Sequence, residues 1–515
     1  MNRNDIAIKG SVIGIVSQFV NLAVKFVVRT FIIRYLGMDI LGLDSVLIDT
    51  ISMLSLAEMG ITSSMLFRLY APVVQKDQQR MNALMATYRR VYYCIAVLIA
   101  GVGIIISFAL PKIVNGVDIP QNQIYVAFYL QLACAVSSYL LAYQRILLNA
   151  DQKKHICLMV DLIANVAFSI LKVICILAIK SYTAYLALTI IQTVFANLVL
   201  RAYARKLYPS VNCKGKPQRA DLIGILADTK DLLGNKLAGY VYNSTDNLII
   251  SIFLGTGTVG LLSNYKYLSS ALRSLVNSAM STMQPLIGNY LNSDTKLEDS
   301  FAILRRYTFV RYLIAGMIVI PFVTMSDVII RIWTGDSNYV LGIAVPILIA
   351  MDFYIGCVYG PLGEYILGMG LFKKGKYATF AGAICNAALS LICVQFWGIL
   401  GVLIPTVIGQ LVIWIGDGII ILKGYYGERS SFLREYVAAQ LEYFAIIFAC
   451  CIVSIFCSRW FGSLPDMARL VIGIIFDEMM FVAAVIAIYH RRDEYNYLLA
   501  LVKNLSEKVL GKTTG

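Results

Sequence analysis

The chain has 515 residues, of which 59% are hydrophobic and only 14% charged, and its mean hydropathy is +0.73. This composition excludes a soluble protein, because no soluble domain of this length needs so many apolar runs of about 20 residues. The net charge of +14 does not call for a nucleic-acid partner, since charge placement between membrane spans accounts for it. The sequence therefore predicts an all-α polytopic membrane protein embedded in a lipid bilayer.

Apolar runs predict about fourteen transmembrane helices. The predicted spans are residues 10–33, 41–66, 91–111, 124–147, 156–179, 182–204, 232–254, 258–289, 307–325, 339–367, 377–396, 399–422, 436–458 and 467–489. Of the 44 Lys and Arg residues, only five lie in loops on the side opposite the termini, namely Arg34, Lys112, Lys180, Arg331 and Arg459. The positive-inside rule then predicts cytoplasmic termini and a location in the cell (cytoplasmic) membrane.

The first span carries a polar face. Gln18, Asn21, Lys25 and Arg29 are spaced 3, 4 and 4 residues apart, so all four side chains point from one side of a helix. A charged side chain at the bilayer centre costs about 2.5 kcal/mol or more, and such residues usually face a polar cavity. The pattern predicts a water-filled, cationic cavity beside this helix.

This polar face recurs 218 residues later. Lys236, Asn243 and Asn247 take the places of Gln18, Lys25 and Arg29, and Tyr240 lies on the same face. Each copy is followed by a similar turn, Tyr35-Leu36-Gly37 with Gly42-Leu43 in the first and Phe253-Leu254-Gly255 with Gly260-Leu261 in the second. The repeat predicts two related halves around one cavity.

A second pair of similar segments supports the repeat. Residues 163–170 resemble residues 384–391, at an offset of 221, and a short basic loop precedes each. Because six spans precede the second copy, both copies begin with the same orientation. We therefore expect two six-helix lobes related by a pseudo-twofold axis along the membrane normal, followed by two C-terminal helices.

The repeat and the charged connections divide the chain into five predicted parts. These are an N-terminal six-helix lobe (1–204), a cytoplasmic linker (205–231), a C-terminal six-helix lobe (232–423), two additional transmembrane helices (424–490) and a cytoplasmic tail (491–515). The charged segment 75–90, which lies before the third span, predicts an interfacial helix.

Further cations lie at membrane depth in other spans. They are Lys172, Lys266, Arg273 and Arg311. Each either faces the cavity or serves in a structural ion pair or as a side chain that snorkels to the interface. Arg145 lies nearer a helix end, where snorkelling is the simpler interpretation.

Acidic residues at membrane depth are fewer. Asp44, Asp49 and Glu58 lie on the second span, where they are candidates for an ion-coupling carboxylate or for pairing with a neighbouring cation. The eleven cysteines have no CxxC spacing and there are only two histidines, so we expect no metal site, no cofactor and no enzyme built on histidine.

The segment from Arg29 to Asp77 resembles the N-terminal pattern of a known family. Its motifs are Arg29-Thr-Phe-Ile-Ile-Arg-Tyr-Leu-Gly37, Ile40-Leu-Gly-Leu43, Ile51-Ser-Met-Leu-Ser-Leu-Ala-Glu-Met-Gly60 and Leu69-Tyr-Ala-Pro72. They are similar to those of bacterial Wzx-type flippases for lipid-linked oligosaccharide repeat units, which share a superfamily with multidrug and toxin extrusion transporters and lipid II flippases. Asp44 departs from the pattern, which has an uncharged polar residue at that place.

The resemblance implies a substrate and a mechanism. It implies an undecaprenyl-diphosphate-linked oligosaccharide whose headgroup enters the cationic cavity while the two lobes rock between inward and outward openings. Polysaccharide polymerase machinery is a further partner that the resemblance allows. The substrate-binding candidates are Lys25, Arg29, Lys172, Lys236, Tyr240, Asn243, Asn247, Lys266, Arg273 and Arg311.

Two other functions stay open at this point. A drug or cation antiporter of the same superfamily would prefer an acidic cavity, whereas the polar faces here are mostly basic. A membrane-embedded polysaccharide polymerase would usually need a sizeable extracytoplasmic loop, and the predicted outer loops are all short. The lipid II flippase is an alternative that differs from the main prediction only in its substrate.

Overall fold

The computed structural model describes residues 3–55, 61–211, 213, 219–280, 287, 290, 296–369, 371–427 and 430–500. Within these ranges the chain is almost wholly α-helical. Some side chains of the described helices lie outside the description, among them those of Lys236, Tyr240 and Asn243.

The described helices account for most of the chain. In chain order they are α1 (Arg3–Leu36), α2 (Met38–Leu54), α3 (Ile61–Gln75), α4 (Gln78–Ser107), α5 (Leu110–Ile113), α6 (Gln121–Ala150), α7 (Lys154–Ile179), α8 (Tyr182–Leu207), α9 (Arg219–Leu254), α10 (Thr256–Met280), α11 (Leu297–Thr334), α12 (Ala344–Gly368), α13 (Phe372–Trp397), α14 (Leu400–Gly418), α15 (Ser430–Ser458) and α16 (Asp466–Tyr489). A π-helical segment, Ile419–Tyr425, extends α14.

Every predicted span overlaps a described helix, and the all-helical fold class is confirmed. Eleven of the described helices are long and apolar enough to cross a membrane by length and composition. The count of about fourteen spans is not confirmed. The difference arises partly because α2 and α3 have only 17 and 15 residues. In addition, the count covers the described side chains alone, and in α9 these contribute the stretch Ser244–Leu254.

Two local predictions differ from the structure. The predicted single span 41–66 contains the end of α2 at Leu54 and the start of α3 at Ile61. The predicted interfacial helix 75–90 is instead the first part of α4, which runs without a break from Gln78 to Ser107. The Asp77 side chain accepts a hydrogen bond from the Arg80 backbone N–H at 2.9 Å and so caps the start of α4. No helix end separates the charged residues from the apolar ones after them, so they form one helix.

Several described helices present an apolar outer face, as lipid contact requires. On α7, Ile163 and Ile170 are 63% and 57% exposed, whereas Ser169 and Lys172 are buried. A helix of a soluble protein would show the opposite arrangement. The polar side chains of this helix therefore point into the protein.

The chain divides into two compact units. We call them the N-terminal unit (Met1–Ser263) and the C-terminal unit (Asn264–Gly515). In the N-terminal unit α1 packs on α7, α6 packs on α4 and α8, and α9 packs on α2 and α3. In the C-terminal unit α13 packs on α14, while α11 packs on α12, α15 and α16. The predicted lobes describe a sequence repeat rather than packing, and their boundaries stay a prediction.

Both pairs of repeated motifs have matching local geometry. Gly37 and Gly255 each end a helix with a positive φ, +91° and +94°, a backbone conformation that favours glycine. Ser169 donates to the Asn165 side chain at 3.5 Å, and Ser390 donates to the Asn386 side chain at 3.1 Å. The similarity of these segments therefore extends to their side-chain hydrogen bonds, while the pseudo-twofold axis itself stays a prediction.

The two glycine turns also contact each other within the N-terminal unit. A Cβ atom on Gly42 would lie 2.1 Å from the Thr256 carbonyl oxygen, and one on Gly260 would lie 2.4 Å from the Met38 carbonyl oxygen. Neither position can hold a side chain without a backbone shift. The glycines that the two motifs share thus allow α2 and α10 to approach closely.

The charge bias leads to a testable topology. In a background without native cysteines, single cysteines at Asn115 and Ser337 should react with an impermeant maleimide added to intact cells. Cysteines at Lys76 and Lys214 should react only after the cells are opened, because the positive-inside rule predicts that these Lys- and Arg-rich parts of the sequence are cytoplasmic. Labelling of the Lys214 position from outside would contradict this topology.

Candidate functional site

A polar cavity lies inside the N-terminal unit, between α1, α6, α7 and α8. Its volume is about 440 Å³. We call it the amide cavity because amides are the commonest of its polar lining side chains, which are Asn21, Lys25, Ser138, Tyr139, Arg145, Asp161, Asn165, Gln192, Thr193 and Asn197. A cavity of this kind inside an apolar, helical unit is where a membrane protein can hold a polar ligand.

The predicted polar face of α1 contributes two residues to the amide cavity. Asn21 and Lys25 both line it, as the helical spacing indicates. The Lys25 side chain is exposed to the cavity, and the structure gives it no ion pair among the described residues. A cation held in this way can serve an anionic ligand.

Arg29, one turn further along α1, has a different environment. Its guanidinium donates to the Ser263 hydroxyl at 2.5 Å, and Ser263 lies on α10 in the same unit. Arg29 is half-buried, so it combines an interhelical contact with partial access.

A chain of hydrogen bonds forms one wall of the amide cavity. The Asn165 amide donates to the side-chain oxygen of Asn21 at 2.7 Å, and the Gln192 amide donates to the side-chain oxygen of Asn165 at 3.3 Å. Behind this wall the Lys172 ammonium donates to the side-chain oxygen of Gln192 at 2.7 Å and lies 5.3 Å from the centre of the Tyr185 ring. Lys172 is only 6% exposed, so it positions Gln192 rather than lining the cavity itself.

Arg145 and Asp161 form a bidentate ion pair at another part of the wall. Both N–O distances are 2.7 Å, and the Arg145 Nε atom also donates to the side-chain oxygen of Asn197 at 2.9 Å. The ion pair, rather than snorkelling, accounts for the position of Arg145 in the structure. Because the two charges cancel, this pair adds little net charge to the cavity.

A second, smaller cavity of about 300 Å³ begins at Ser138 and Thr193, which line both cavities, and extends to Asp44. Asp44 accepts hydrogen bonds from the Tyr182 hydroxyl at 2.7 Å and from the Gln131 amide at 2.9 Å. Its partners are neutral, although Arg29 and Lys172 are close enough to act on it electrostatically. Asp44 is therefore a carboxylate at membrane depth held by neutral donors.

The other acidic candidates are less informative. Asp49 accepts a hydrogen bond from Asn247 at 2.6 Å, which joins α2 to α9 within the N-terminal unit. Glu58 lies outside the described residues, as do the side chains of Lys236, Tyr240 and Asn243. Asn247 is thus the member of the second polar face whose contacts the structure gives.

In the C-terminal unit both predicted arginines form ion pairs with α12. Arg273 contacts Asp352 at 2.7 Å, and its side chain remains 34% exposed. Arg311 contacts Glu364 at 2.5 Å, and its side chain is only 4% exposed. Lys266 is half-buried on α10. Arg311 is therefore paired and buried, whereas Arg273 is paired and partly exposed.

Two glycines on α12 make room for these arginines. Asp352, Gly356, Gly360 and Glu364 are each four residues apart, so they form one stripe along the helix. A Cβ atom on Gly356 would lie 2.2 Å from the Arg273 guanidinium, and one on Gly360 would lie 2.3 Å from the Arg311 guanidinium. Each arginine therefore lies across a glycine and reaches an acid one turn away.

This packing leads to a stability prediction. Gly360→Ala should force the buried Arg311 guanidinium to move and destabilise the protein by about 1–3 kcal/mol, the usual cost of overpacking. Gly101→Ala on α4 is a matched control, because a Cβ there would meet no atom within 4 Å. Thermal unfolding of the purified proteins in detergent measures both. Equal melting temperatures for the two variants would show that the glycine does not accommodate the arginine.

Sequence reasoning missed part of the site. Gln192 and Asn197 on α8, and Gln131 and Tyr182 beside Asp44, were not among the candidates. The available signal was the presence of two amide side chains, Gln192 and Asn197, in a largely apolar helix. Their five-residue spacing places them about 140° apart around the helix, so the spacing does not group them on one face. Uncharged polar residues are common enough in membrane helices that this signal alone is weak.

Comparison with known proteins places the chain in a family. Residues 7–291, more than half of the chain, match the family model described as "Polysaccharide biosynthesis protein". The chain belongs to this family. No relative was found among curated proteins.

The fold resembles those of solved flippases and transporters. A structure titled "Lipid II flippase MurJ, inward closed conformation" is 13% identical, with a TM-score of 0.66 over 94% of this chain and 99% of that one. An inward-facing multidrug resistance MATE family transporter of the MOP superfamily is 14% identical, with a TM-score of 0.61 over 81% and 96%. A eukaryotic MATE transporter, AtDTX14, is 13% identical, with a TM-score of 0.55 over 84% and 99%. The likeness establishes a MurJ/MATE-type fold for this multi-pass membrane protein.

Proposed function

We propose that this member of the polysaccharide biosynthesis family is a flippase that moves undecaprenyl-diphosphate-linked oligosaccharides across the cytoplasmic membrane. The translocated oligosaccharides would be the building units of a cell-surface polysaccharide such as an exopolysaccharide, a capsule or an O-antigen. Support comes from the family match over residues 7–291 and from the fold shared with a lipid II flippase. The solved structures that share the fold are flippases and transporters, so we propose transport rather than an enzymatic reaction.

The observation that carries the proposal is the environment of Lys25. Within the described residues this cation has no acidic partner, yet it faces a polar cavity inside an apolar unit. An unpaired charge there is costly unless a ligand compensates it. A diphosphate is a suitable ligand, because charge-assisted hydrogen bonds to phosphate are strong where water is partly excluded.

We rank the other predicted substrate-binding residues by how exposed their side chains are. We propose that Lys25 and Arg29 contact the diphosphate, and that Arg273 and Lys266 assist when the protein changes conformation. Arg311 and Lys172 instead hold the helices in place, since both are buried and hydrogen-bonded. Lys236, Tyr240, Asn243 and Asn247 remain candidates as the second copy of the polar face.

We propose alternating access as the mechanism. The headgroup enters from the cytoplasmic side, the polyprenyl tail stays in the lipid, and the cavity then opens to the other side. Asp44 is our candidate for the ion-coupling carboxylate, with Asp49 and Glu58 as weaker ones, because its hydrogen-bond partners are neutral. Both termini are proposed to be cytoplasmic, and a polysaccharide polymerase is a proposed neighbour in the membrane.

A drug or cation exporter is the second candidate, favoured by the similarity to MATE transporters. The charges of the amide cavity argue against it. Asp161 is paired with Arg145, so Lys25 gives the described lining a net positive charge that would repel a cationic drug.

Deletion of the gene tests the proposed function. Cells without the protein should lose the surface polysaccharide and accumulate the lipid-linked oligosaccharide on the cytoplasmic leaflet, and expression of the wild-type chain should reverse both effects. Normal polysaccharide in the deletion strain, together with greater sensitivity to cationic drugs, would favour the exporter instead.

A further inference from the structure

The polar groups of the amide cavity are a mixture of donors and acceptors rather than a cluster of cations. Arg145 is neutralised by two hydrogen bonds to Asp161, and Lys172 lies behind Gln192 outside the lining. Among the described lining residues this leaves Lys25 as the unpaired charge. The other lining groups are amides, hydroxyls and one paired carboxylate.

Several of these groups retain hydrogen-bonding capacity toward the cavity. The side-chain oxygens of Asn21 and Asn197 accept these hydrogen bonds, so the NH₂ groups of the same amides can still donate to a ligand. The Asp161 side chain is 40% exposed, and a carboxylate bound by Arg145 keeps unused lone pairs. The wall therefore offers NH donors and carboxylate acceptors side by side.

This combination suits hydroxyl groups and disfavours phosphate. A sugar hydroxyl can donate to Asp161 and accept from Asn21 or Asn197. A phosphate oxygen only accepts hydrogen bonds, so it cannot use the lone pairs that Asp161 leaves free. The volume of about 440 Å³ is near the lower end for ligand cavities, which is suitable for a sugar ring rather than for a whole oligosaccharide.

We infer that the amide cavity is a sugar subsite: it binds an uncharged sugar ring of the lipid-linked oligosaccharide through Asp161, Asn197 and Asn21. The diphosphate stays outside this wall, on the Lys25 side. The inference rests on the proposed function and deepens it, because it assigns substrate selection to the N-terminal unit and to hydrogen bonds rather than to charge.

Binding to purified protein in lipid nanodiscs tests this assignment. The probes are the lipid-linked oligosaccharide extracted from the deletion strain and undecaprenyl diphosphate, which has no sugar. Asp161→Asn and Asn21→Ala should each weaken binding of the sugar-carrying lipid by about tenfold, since each removes hydrogen bonds to the ligand. Binding of undecaprenyl diphosphate should stay within about twofold of wild type for Asn21→Ala, and Asp161→Asn should not weaken it, because that variant leaves the Arg145 charge uncompensated. Ser107→Ala, a buried hydroxyl on α4 away from the cavity, is the control.

The outcomes are distinguishable. Equal weakening for both probes would show that the cavity binds the diphosphate, and unchanged binding of both would show that it binds neither part; each result overturns the subsite. If wild-type protein binds neither probe, the proposed function itself fails.

A second measurement avoids dependence on variants that fail to fold. A single cysteine at Ser138, which lines the cavity, should be protected from maleimide by the sugar-carrying lipid and not by undecaprenyl diphosphate. Equal protection by both lipids would overturn the sugar subsite.

Discussion

Arg311→Ala is expected to abolish accumulation of folded protein in the membrane. The guanidinium is buried against Gly360, and it is bound to Glu364 at 2.5 Å and to the Tyr307 hydroxyl at 2.8 Å. Its removal leaves the mostly buried Glu364 carboxylate without a counter-charge. Breaking a buried ion pair from one side costs about 3–5 kcal/mol, a large part of the stability of a typical protein.

A second substitution should reverse much of this loss. In the double variant Arg311→Met, Glu364→Gln neither member of the pair is charged, and Tyr307 can still donate to the amide oxygen that the second substitution introduces, so folded protein should return. Arg492→Ala is a control, because its ion pair with Glu442 is exposed and such pairs are worth about 0–1 kcal/mol. Membrane abundance and thermal unfolding are the measurements. A double variant as unstable as Arg311→Ala would show that the ion pair is not the cause.

Lys25→Ala is expected to abolish export of the polysaccharide while the amount of folded protein is kept. Lys25 is exposed to the amide cavity and makes no ion pair with the described residues, so its loss breaks no ion pair among them. Its removal also relieves the cost of an unpaired cation in the membrane. The effect should therefore appear in transport and not in stability, the reverse of the result for Arg311.

Complementation of the deletion strain, measured together with protein abundance, tests this prediction. Lys25→Arg should restore part of the export if charge is the main requirement. Lys112→Ala removes the same charge from an exposed position on α5 and should leave export unchanged. Full export by Lys25→Ala would show that the cavity cation has no role in transport.

The sequence predicted the helices well because membrane spans need long apolar runs. The face that carries Asn21 and Lys25 was also predictable, since helical spacing alone places both on one side. Helix boundaries were harder to predict where a helix begins with charged residues and continues into an apolar span. The charged residues before the third span predict a separate helix, whereas α4 begins at Gln78 and continues through them into the span.

The partners of the buried cations could not be predicted in this way. Arg273 and Asp352 are 79 residues apart in sequence, and Asn247 and Asp49 are 198 apart, so only tertiary packing brings them together. A list of cations at membrane depth cannot separate a paired arginine from an unpaired lysine. The structure makes that distinction, and it moves the centre of the candidate site toward Lys25.

Transport by purified protein in vesicles tests the central claim most directly. The lipid-linked oligosaccharide from the deletion strain is placed in both leaflets, and periodate, which does not cross the membrane, oxidises the sugars that reach the outer surface. Vesicles with the wild-type chain should expose nearly all of the oligosaccharide, while protein-free vesicles and those with Lys25→Ala should expose only the outer-leaflet molecules. Equal oxidation with and without the wild-type protein would contradict the assignment as a flippase.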